Sequence, residues 1–213
     1  MALYEVKRAP SRTQGTIVLD IDETLLHTGG TDCDTFISIL RDKASLPYRK
    51  RIYHINGVDA QGHEYDLHGF IRPGAHEFLK FCFEYFAKVI IWSAGQRYYV
   101  YNAVLNLFKD LPMPDAVWTY DDVEFTNKGY VYKPLSKLAK HFKLDLDTMY
   151  VVDDRQETFK DNKDNAIHIP PYKPTLSISG LKEKDDALVK IMTFLDENET
   201  TKAVLTKKDN IFA

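Results

Sequence analysis

The stretch Ile17–Thr28, with the sequence IVLDIDETLLHT, decides the fold. Its first residues, together with Thr16, form a short apolar run without polar alternation, which is typical of a strand buried on both faces of a parallel sheet. Asp20 and Asp22 follow directly. Ligands bind at the carboxyl ends of strands in open α/β sheets, where a carboxylate serves as nucleophile, proton donor or metal ligand. An isolated Asp-x-Asp also occurs in turns that cap helices, so this assignment depends on partners elsewhere in the chain.

The composition indicates an ordinary globular protein. A chain of 213 residues accommodates one well-buried domain. The net charge of -3 gives no reason to expect strong binding to nucleic acid or to a membrane. Two cysteines are too few for disulfide bonds to stabilise a chain of this size. Because we find neither a signal peptide nor an apolar run of transmembrane length, we expect an intracellular, soluble protein, in the nucleus or the cytoplasm.

Apolar segments alternate with amphipathic segments along the rest of the chain. KVIIW at 88–92 and MYVV at 149–152 predict further buried strands. The alternation predicts an α/β fold, with a central parallel sheet flanked by helices and short right-handed connections. We expect helices over 75–86, 96–108, 135–142 and 183–198, short strands over 35–40, 49–55, 63–71, 116–120 and 166–169, and a hairpin over 123–132.

The predicted topology brings more polar side chains to the strand ends that hold Asp20. Ser93 follows the strand at 88–92, where its hydroxyl and the start of the next helix make a plausible anion site. Asp153 and Asp154 follow the strand at 149–152, and Lys133 follows the hairpin. A basic cluster at 49–51 has two readings, a solvated edge strand or a phosphate-binding segment.

Taken together, these motifs resemble those of the haloacid dehalogenase (HAD) superfamily phosphatases. The chain is most similar to the FCP/SCP group, the NLI-interacting-factor-like phosphatases that act on the RNA polymerase II C-terminal domain. The resemblance covers about residues 15–197. The residues that carry it are the D-x-D-x-T motif Asp20–Thr24, Arg72–Gly74 (RPG), Ser93 in WSAG, Lys133 in YKPLSKL, Asp153-Asp154 in VVDD, and DNAIHIPPY at 164–172.

The resemblance implies hydrolysis of a phosphomonoester through an aspartyl phosphate. Asp20 is then the nucleophile, and Asp22 protonates the leaving group and later deprotonates water. Mg²⁺ is the implied cofactor, held by Asp20, the backbone carbonyl of Asp22 and an acid of the fourth motif, with the division between Asp153 and Asp154 left open. The implied phosphate-binding residues are Thr24, which also orders the loop, Ser93, Ala94 and Lys133.

The expected partner is a phosphorylated protein or peptide, which includes the RNA polymerase II C-terminal domain. No large cap domain is expected, and an open site suits a chain segment. Phe36, Tyr98 and Tyr99 are candidates to hold a proline beside phosphoserine, or else ordinary packing residues. Arg97 is a candidate to replace an arginine that the group carries before the hairpin. The alternatives are a phosphatase for nucleic-acid 3′-phosphates or small phosphomonoesters, and a catalytically weak phosphopeptide-binding scaffold.

The fold implied is HAD-like and Rossmannoid with small β insertions. We expect a lead-in over residues 1–14, a phosphatase domain over 15–198 and a poorly ordered tail over 199–213. Within the domain, a β-rich insertion is expected over about 29–71, and the hairpin over about 116–132.

Overall fold

The computed structural model describes residues 10–30, 32–58, 62–198, 208 and 211–212. The strands are β1 (Thr16–Leu19), β2 (Leu26–Gly30), β3 (Ile52–Val58), β4 (Glu64–Ile71), β5 (Lys88–Trp92), β6 (Ala116–Trp118), β7 (Glu124–Phe125), β8 (Val131–Tyr132), β9 (Met149–Asp153) and β10 (Ala166–His168). The helices are α1 (Cys33–Arg41), α2 (Ala75–Tyr85), α3 (Arg97–Leu107), α4 (Leu135–Phe142), α5 (Ile178–Leu181) and α6 (Ala187–Glu197). Short 3₁₀ segments cover Lys43–Arg51, Tyr120–Asp122, Leu146–Thr148 and Lys160–Asn165.

A parallel sheet forms the centre of the fold, as predicted. Within the described part of the chain its order is β10-β9-β1-β5-β6, so β1 lies between the two other long apolar strands. Leu19, the last residue of β1, is in register with Ile91 of β5 and Val152 of β9. The three strands therefore end at the same edge. This edge is the one where the sequence predicts a site.

The sheet is buried on both faces, because successive side chains of a strand point to opposite sides. Ile17 and Leu19 pack in a cluster with α2, α3 and α6. Val18, from the same strand, packs in a second cluster with α4 and Trp118. An apolar run without polar alternation is the expected consequence of such two-sided burial.

The insertion after β1 is a second, antiparallel sheet with the order β2-β4-β3. β3 and β4 overlap the strands predicted over 49–55 and 63–71, and they pair antiparallel, with Ile55 opposite Leu67. The turn that joins β3 and β4 lies partly outside the described residues. Among the described residues, the insertion consists of this small sheet together with α1 and one 3₁₀ segment.

Two predictions for the insertion are wrong. Residues 35–40 lie in α1 and not in a strand, because the Asp32 carboxylate caps that helix by accepting from the backbone N–H groups of Asp34 and Thr35. The cluster at 49–51 lies in a 3₁₀ segment and not in an edge strand. The Arg51 guanidinium donates to Tyr172 Oη at 2.8 Å and to two carbonyl oxygens, so it joins the insertion to the chain after β10.

The predicted tail lies mostly outside the described residues. Among its described residues, Ile211 is buried in the cluster that contains α6. At this position the chain is packed against the domain. The predicted helix over 183–198 begins later, at Ala187. None of the helices in the described ranges is long and apolar enough to span a membrane.

Candidate active site

Lys133 lies between two carboxylates at the edge where β1 and β9 end. Its ammonium donates to Asp20 Oδ1 at 2.5 Å and to Asp153 Oδ2 at 2.8 Å. All three side chains are buried. The main chain holds Lys133 in place, because its N–H donates to Thr158 and its carbonyl accepts from Asn162. Residues that are more than a hundred positions apart in sequence thus form one ionic cluster, as the predicted topology requires.

Burial and charge act in opposite directions within this cluster. Burial raises the pKa of Asp20, and the nearby Lys133 ammonium opposes that rise. For Lys133, burial lowers the pKa, but the carboxylates of Asp153 and Asp20 outweigh burial and raise the pKa above its usual value. Lys133 is therefore a permanent cation at this site.

Three carboxylates of the site fit a divalent cation. Asp20, Asp153 and Asp154 each offer an oxygen, and the three oxygens lie within 4.8 Å of one another. Hard cations such as Mg²⁺ prefer oxygen ligands of this kind. Asp154 Oδ1 is buried and has no hydrogen-bond partner among the described residues, although buried polar atoms are normally paired. The residues present therefore fit a bound metal ion.

The two adjacent acids after β9 differ in what they contact. Asp153 accepts from Lys133 through Oδ2, and from the Arg155 N–H through Oδ1 at 2.9 Å. Asp154 is half-buried, and burial, with the nearby Asp153 carboxylate, raises its pKa to about 6. Asp154 thus has the uncommitted oxygen of the pair.

The Asp22 carboxylate contacts residues that follow the end of β5. Its Oδ2 accepts from Ser93 Oγ at 3.4 Å, and Ser93 Oγ in turn accepts from the Gly95 N–H at 2.9 Å. Its Oδ1 accepts from the Tyr99 hydroxyl of α3. Burial raises the pKa of Asp22, while its hydrogen bond from Tyr99 acts in the opposite direction. The structure thus brings Ser93 to the first motif, as the sequence predicts.

The loop after β1 is held by buried Arg72, which the sequence indicates only as part of the RPG motif. Arg72 donates from Nη1 to the carbonyl oxygen of Thr24 at 3.1 Å. It also forms two bonds with the Asp185 carboxylate and one with the Pro170 carbonyl. The Thr24 hydroxyl is buried without a hydrogen-bond partner among the described residues, so the loop is held through the Thr24 main chain. The signal in the sequence that could have indicated this role is the position of a charged residue, Arg72, just before an amphipathic helix.

The other predicted substrate residues lie apart from the ionic cluster. Arg97 is exposed and pairs with Asp121. Phe36 stacks against His54 and His68 in the insertion. Tyr98 is 47% exposed and donates to the carbonyl of Asn56. Ala94, which is predicted to bind phosphate, directly follows Ser93 and packs against the buried cluster that contains α4. Of the predicted aromatics, Tyr99 alone contacts a predicted catalytic residue in the described contacts.

Comparisons with known proteins agree with this architecture. A model of the NLI interacting factor-like phosphatase family matches residues 15–205. Among solved structures, the chain is similar to Fcp1, an essential RNA polymerase II CTD phosphatase, with a TM-score of 0.63, 20% identity, and coverage of 93% of this chain and 53% of that chain.

It is also similar to a variant of fission yeast RNA polymerase II CTD phosphatase Fcp1 bound to beryllium fluoride, with a TM-score of 0.62, 20% identity, and coverage of 93% and 55%. The chain spans about half the length of these proteins, and the likeness shows a shared fold. No curated protein sequence matches the chain significantly. The family match covers most of the chain, so the chain belongs to the NLI interacting factor-like phosphatase family.

Proposed function

We propose that this protein is a Mg²⁺-dependent phosphatase that forms an aspartyl phosphate on Asp20 and acts on phosphoserine or phosphothreonine in proteins. The observation that carries this proposal is the position of Lys133, whose ammonium contacts both Asp20 and Asp153 at the end of the central strands. An anionic nucleophile and an anionic phosphoryl group repel each other unless a fixed positive charge offsets them. A buried cation beside Asp20 supplies such a charge without reorganisation.

In the first step, a carboxylate oxygen of Asp20 attacks phosphorus and the bond from phosphorus to the leaving oxygen breaks. Asp22 gives its proton to that oxygen, so the leaving group departs as a neutral alcohol. The Ser93 hydroxyl, which lies 3.4 Å from Asp22 Oδ2, donates to a phosphoryl oxygen. The raised pKa of the Asp22 carboxyl favours the protonated form that this step requires.

In the second step, a water molecule attacks the phosphorus of the aspartyl phosphate. The bond from phosphorus to the Asp20 oxygen breaks, and Asp22 takes the proton from the water. Division into two displacements is the general advantage of covalent catalysis. General acid–base assistance of this kind typically contributes about 10²- to 10⁴-fold.

Asp20, the backbone carbonyl of Asp22 and Asp154 are the residues that would hold Mg²⁺. When bound, the ion neutralises charge on the phosphoryl oxygens and orients them. Asp153 is assigned a different role, because both of its oxygens already accept hydrogen bonds, from Lys133 and from the Arg155 N–H. Asp153 therefore orients the ammonium, while the uncommitted oxygen of Asp154 is free for the metal.

A protein substrate is supported by the form of the insertion. Between β1 and α2, the described residues make a three-stranded sheet with one helix and a 3₁₀ segment, with no helical cap among them. An uncapped site accommodates a phosphorylated chain segment. The solved structures that resemble this chain are described as RNA polymerase II CTD phosphatases, which makes that phosphorylated tail the first substrate to test.

Hydrolysis of 4-nitrophenyl phosphate by the purified full chain, with and without Mg²⁺, tests the reaction. We expect activity that chelation removes and Mg²⁺ restores, and Asp20→Asn should abolish it. Asp34→Asn is the matched control, since Asp34 is an exposed acid in the first turn of α1. An inactive wild-type chain, or an Asp20→Asn variant with the wild-type rate, would contradict the proposal.

The substrate class needs its own measurement. Values of kcat/KM for a phosphoserine peptide from the polymerase tail, a 3′-phosphorylated oligonucleotide and a small sugar phosphate can be compared at one Mg²⁺ concentration. We expect the peptide to be the best substrate. Preference for either of the other two would assign the same chemistry to a different substrate.

A further inference from the structure

Hydroxyl groups link the insertion to Asp22 in a continuous series. Tyr53 of β3 is hydrogen-bonded to Thr28 of β2. Thr28 Oγ1 lies 2.6 Å from the hydroxyl of Tyr99 in α3, and that hydroxyl donates to Asp22 Oδ1. Tyr53 is buried, and Thr28 and Tyr99 are half-buried. The series therefore joins two strands of the insertion, one helix of the central domain and the predicted proton donor.

The donor count fixes the direction of this series. A hydroxyl has one proton to donate, and Tyr99 donates its proton to Asp22 Oδ1, an oxygen that can accept whether or not the other oxygen is protonated. Tyr99 must then accept from Thr28, and Thr28 must accept from Tyr53. Tyr53 thus donates to Thr28, Thr28 donates to Tyr99, and Tyr99 donates to Asp22 Oδ1.

Oδ1 accepts from Tyr99, whereas the Ser93 contact to Oδ2 is long and is given up when Ser93 donates to the phosphoryl group, so Oδ2 is the oxygen available to carry a proton. That oxygen, Oδ2, lies on the side of Ser93, at 3.4 Å from its hydroxyl. Ser93 is the group that binds a phosphoryl oxygen in the reaction proposed above. The proton on Asp22 is therefore held toward the phosphoryl group and not toward α3.

We propose that Tyr99 is a positioning residue for the proton donor, and that Thr28 and Tyr53 of the insertion hold it in place. This inference rests on the proposed phosphatase reaction. The insertion then contributes to catalysis by holding Tyr99, in addition to any contact that it makes with substrate. It also replaces the prediction that Tyr99 holds a proline of the substrate with a role at Asp22.

The dependence of the rate on the leaving group tests this proposal. Phenyl phosphate and 4-nitrophenyl phosphate have nearly the same shape, but the phenolate is much the poorer leaving group and needs the proton from Asp22 more. The quantity to compare is kcat/KM, which covers only the steps through formation of the aspartyl phosphate. For Tyr99→Phe we expect kcat/KM to fall about 10-fold more with phenyl phosphate than with 4-nitrophenyl phosphate.

The ratio of the two substrates does not depend on how much of the variant is folded, because both are measured on the same preparation. Tyr101→Phe is the matched control, since Tyr101 lies on the same helix and is 47% exposed. Its ratio should equal that of the wild type. An equal loss with both substrates, or no loss, in Tyr99→Phe would overturn the proposal. An inactive wild-type chain would instead refute the phosphatase reaction itself.

A double-mutant comparison tests whether the insertion, through Tyr53, helps to position Tyr99. Tyr53→Phe alone should change the substrate ratio in the same direction as Tyr99→Phe, by a smaller factor. In the Tyr99→Phe background, Tyr53→Phe should change the ratio no further, because Tyr53 acts only through Tyr99. Independent, multiplicative effects would contradict a shared series.

Discussion

Arg72→Met tests whether the buried arginine holds the loop after β1, which carries Asp20 and Asp22. The Arg72 side chain is fully buried and donates to both oxygens of Asp185 at 2.8 and 2.9 Å. It also donates to the carbonyls of Thr24 and Pro170. Methionine keeps the apolar stem but leaves these acceptors without their donor. Loss of one partner of a buried ion pair typically costs about 3–5 kcal/mol, because the other charge remains unpaired.

Urea unfolding and thermal unfolding, both followed by circular dichroism, measure this loss of stability. We expect the free energy of unfolding to fall by about 3–5 kcal/mol and the melting temperature by about 6–20 °C. Arg12→Met is the control, because Arg12 and its partner Asp196 are 55% and 57% exposed. Surface pairs contribute at most about 1 kcal/mol.

Two further results decide the interpretation. A loss for Arg72→Met that is no larger than the loss for Arg12→Met would refute the reasoning. If the unpaired charge is the main cost, the additional substitution Asp185→Leu should recover part of the stability. No recovery would assign the cost to the lost carbonyl contacts and the lost packing instead.

Three other perturbations follow from the same geometry. Lys133→Met should lower kcat/KM for 4-nitrophenyl phosphate by about 10²- to 10³-fold, whereas Lys137→Met, which removes a half-exposed cation, should leave it unchanged. Asp154→Ala should weaken Mg²⁺ binding, measured by calorimetry, by about 10-fold or more; wild-type affinity would show that the ion is held elsewhere. Burial lowers the pKa of His68 below its usual 6.5, so the unfolded state binds more protons at acidic pH. His68 should therefore lower the free energy of unfolding as the pH falls through 6.5, whereas the raised pKa of Asp154 acts in the opposite direction, so the stability of His68→Gln should rise relative to that of the wild type as the pH falls; a difference that does not depend on pH would contradict it.

The central sheet and the ionic cluster were predictable because they depend on short, strongly apolar strands. The strand that contains Ile17 is buried on both faces and carries no competing signal. Once the central strands are placed in parallel, Asp20, Ser93 and Asp153 must reach one edge. The family motifs then singled out Lys133, whose position depends on tertiary contacts that no local pattern encodes.

The insertion was harder to predict because its local signals compete. Residues 35–40 are rich in β-branched and aromatic residues, which favour strands, but the Asp32 cap gives the helix a start that outweighs this preference. The contact between Tyr99 and Asp22 joins residues 77 positions apart and depends on how α3 is rotated against the sheet. Sequence spacing does not determine that rotation, which is why an aromatic residue expected on the substrate side contacts Asp22, the proposed proton donor.

Identification of the phosphorylated residue tests the central claim most directly. The Asp22→Asn variant lacks the base that we propose for the second step, so the phosphorylated enzyme should accumulate during incubation with Mg²⁺ and 4-nitrophenyl phosphate, whose good leaving group needs little protonation. Acid quenching, proteolysis and mass spectrometry then locate the added phosphoryl group. We predict that it lies on Asp20. A phosphoryl group on any other residue, or release of phosphate by the wild type with no phosphorylated enzyme in either protein, would contradict the account.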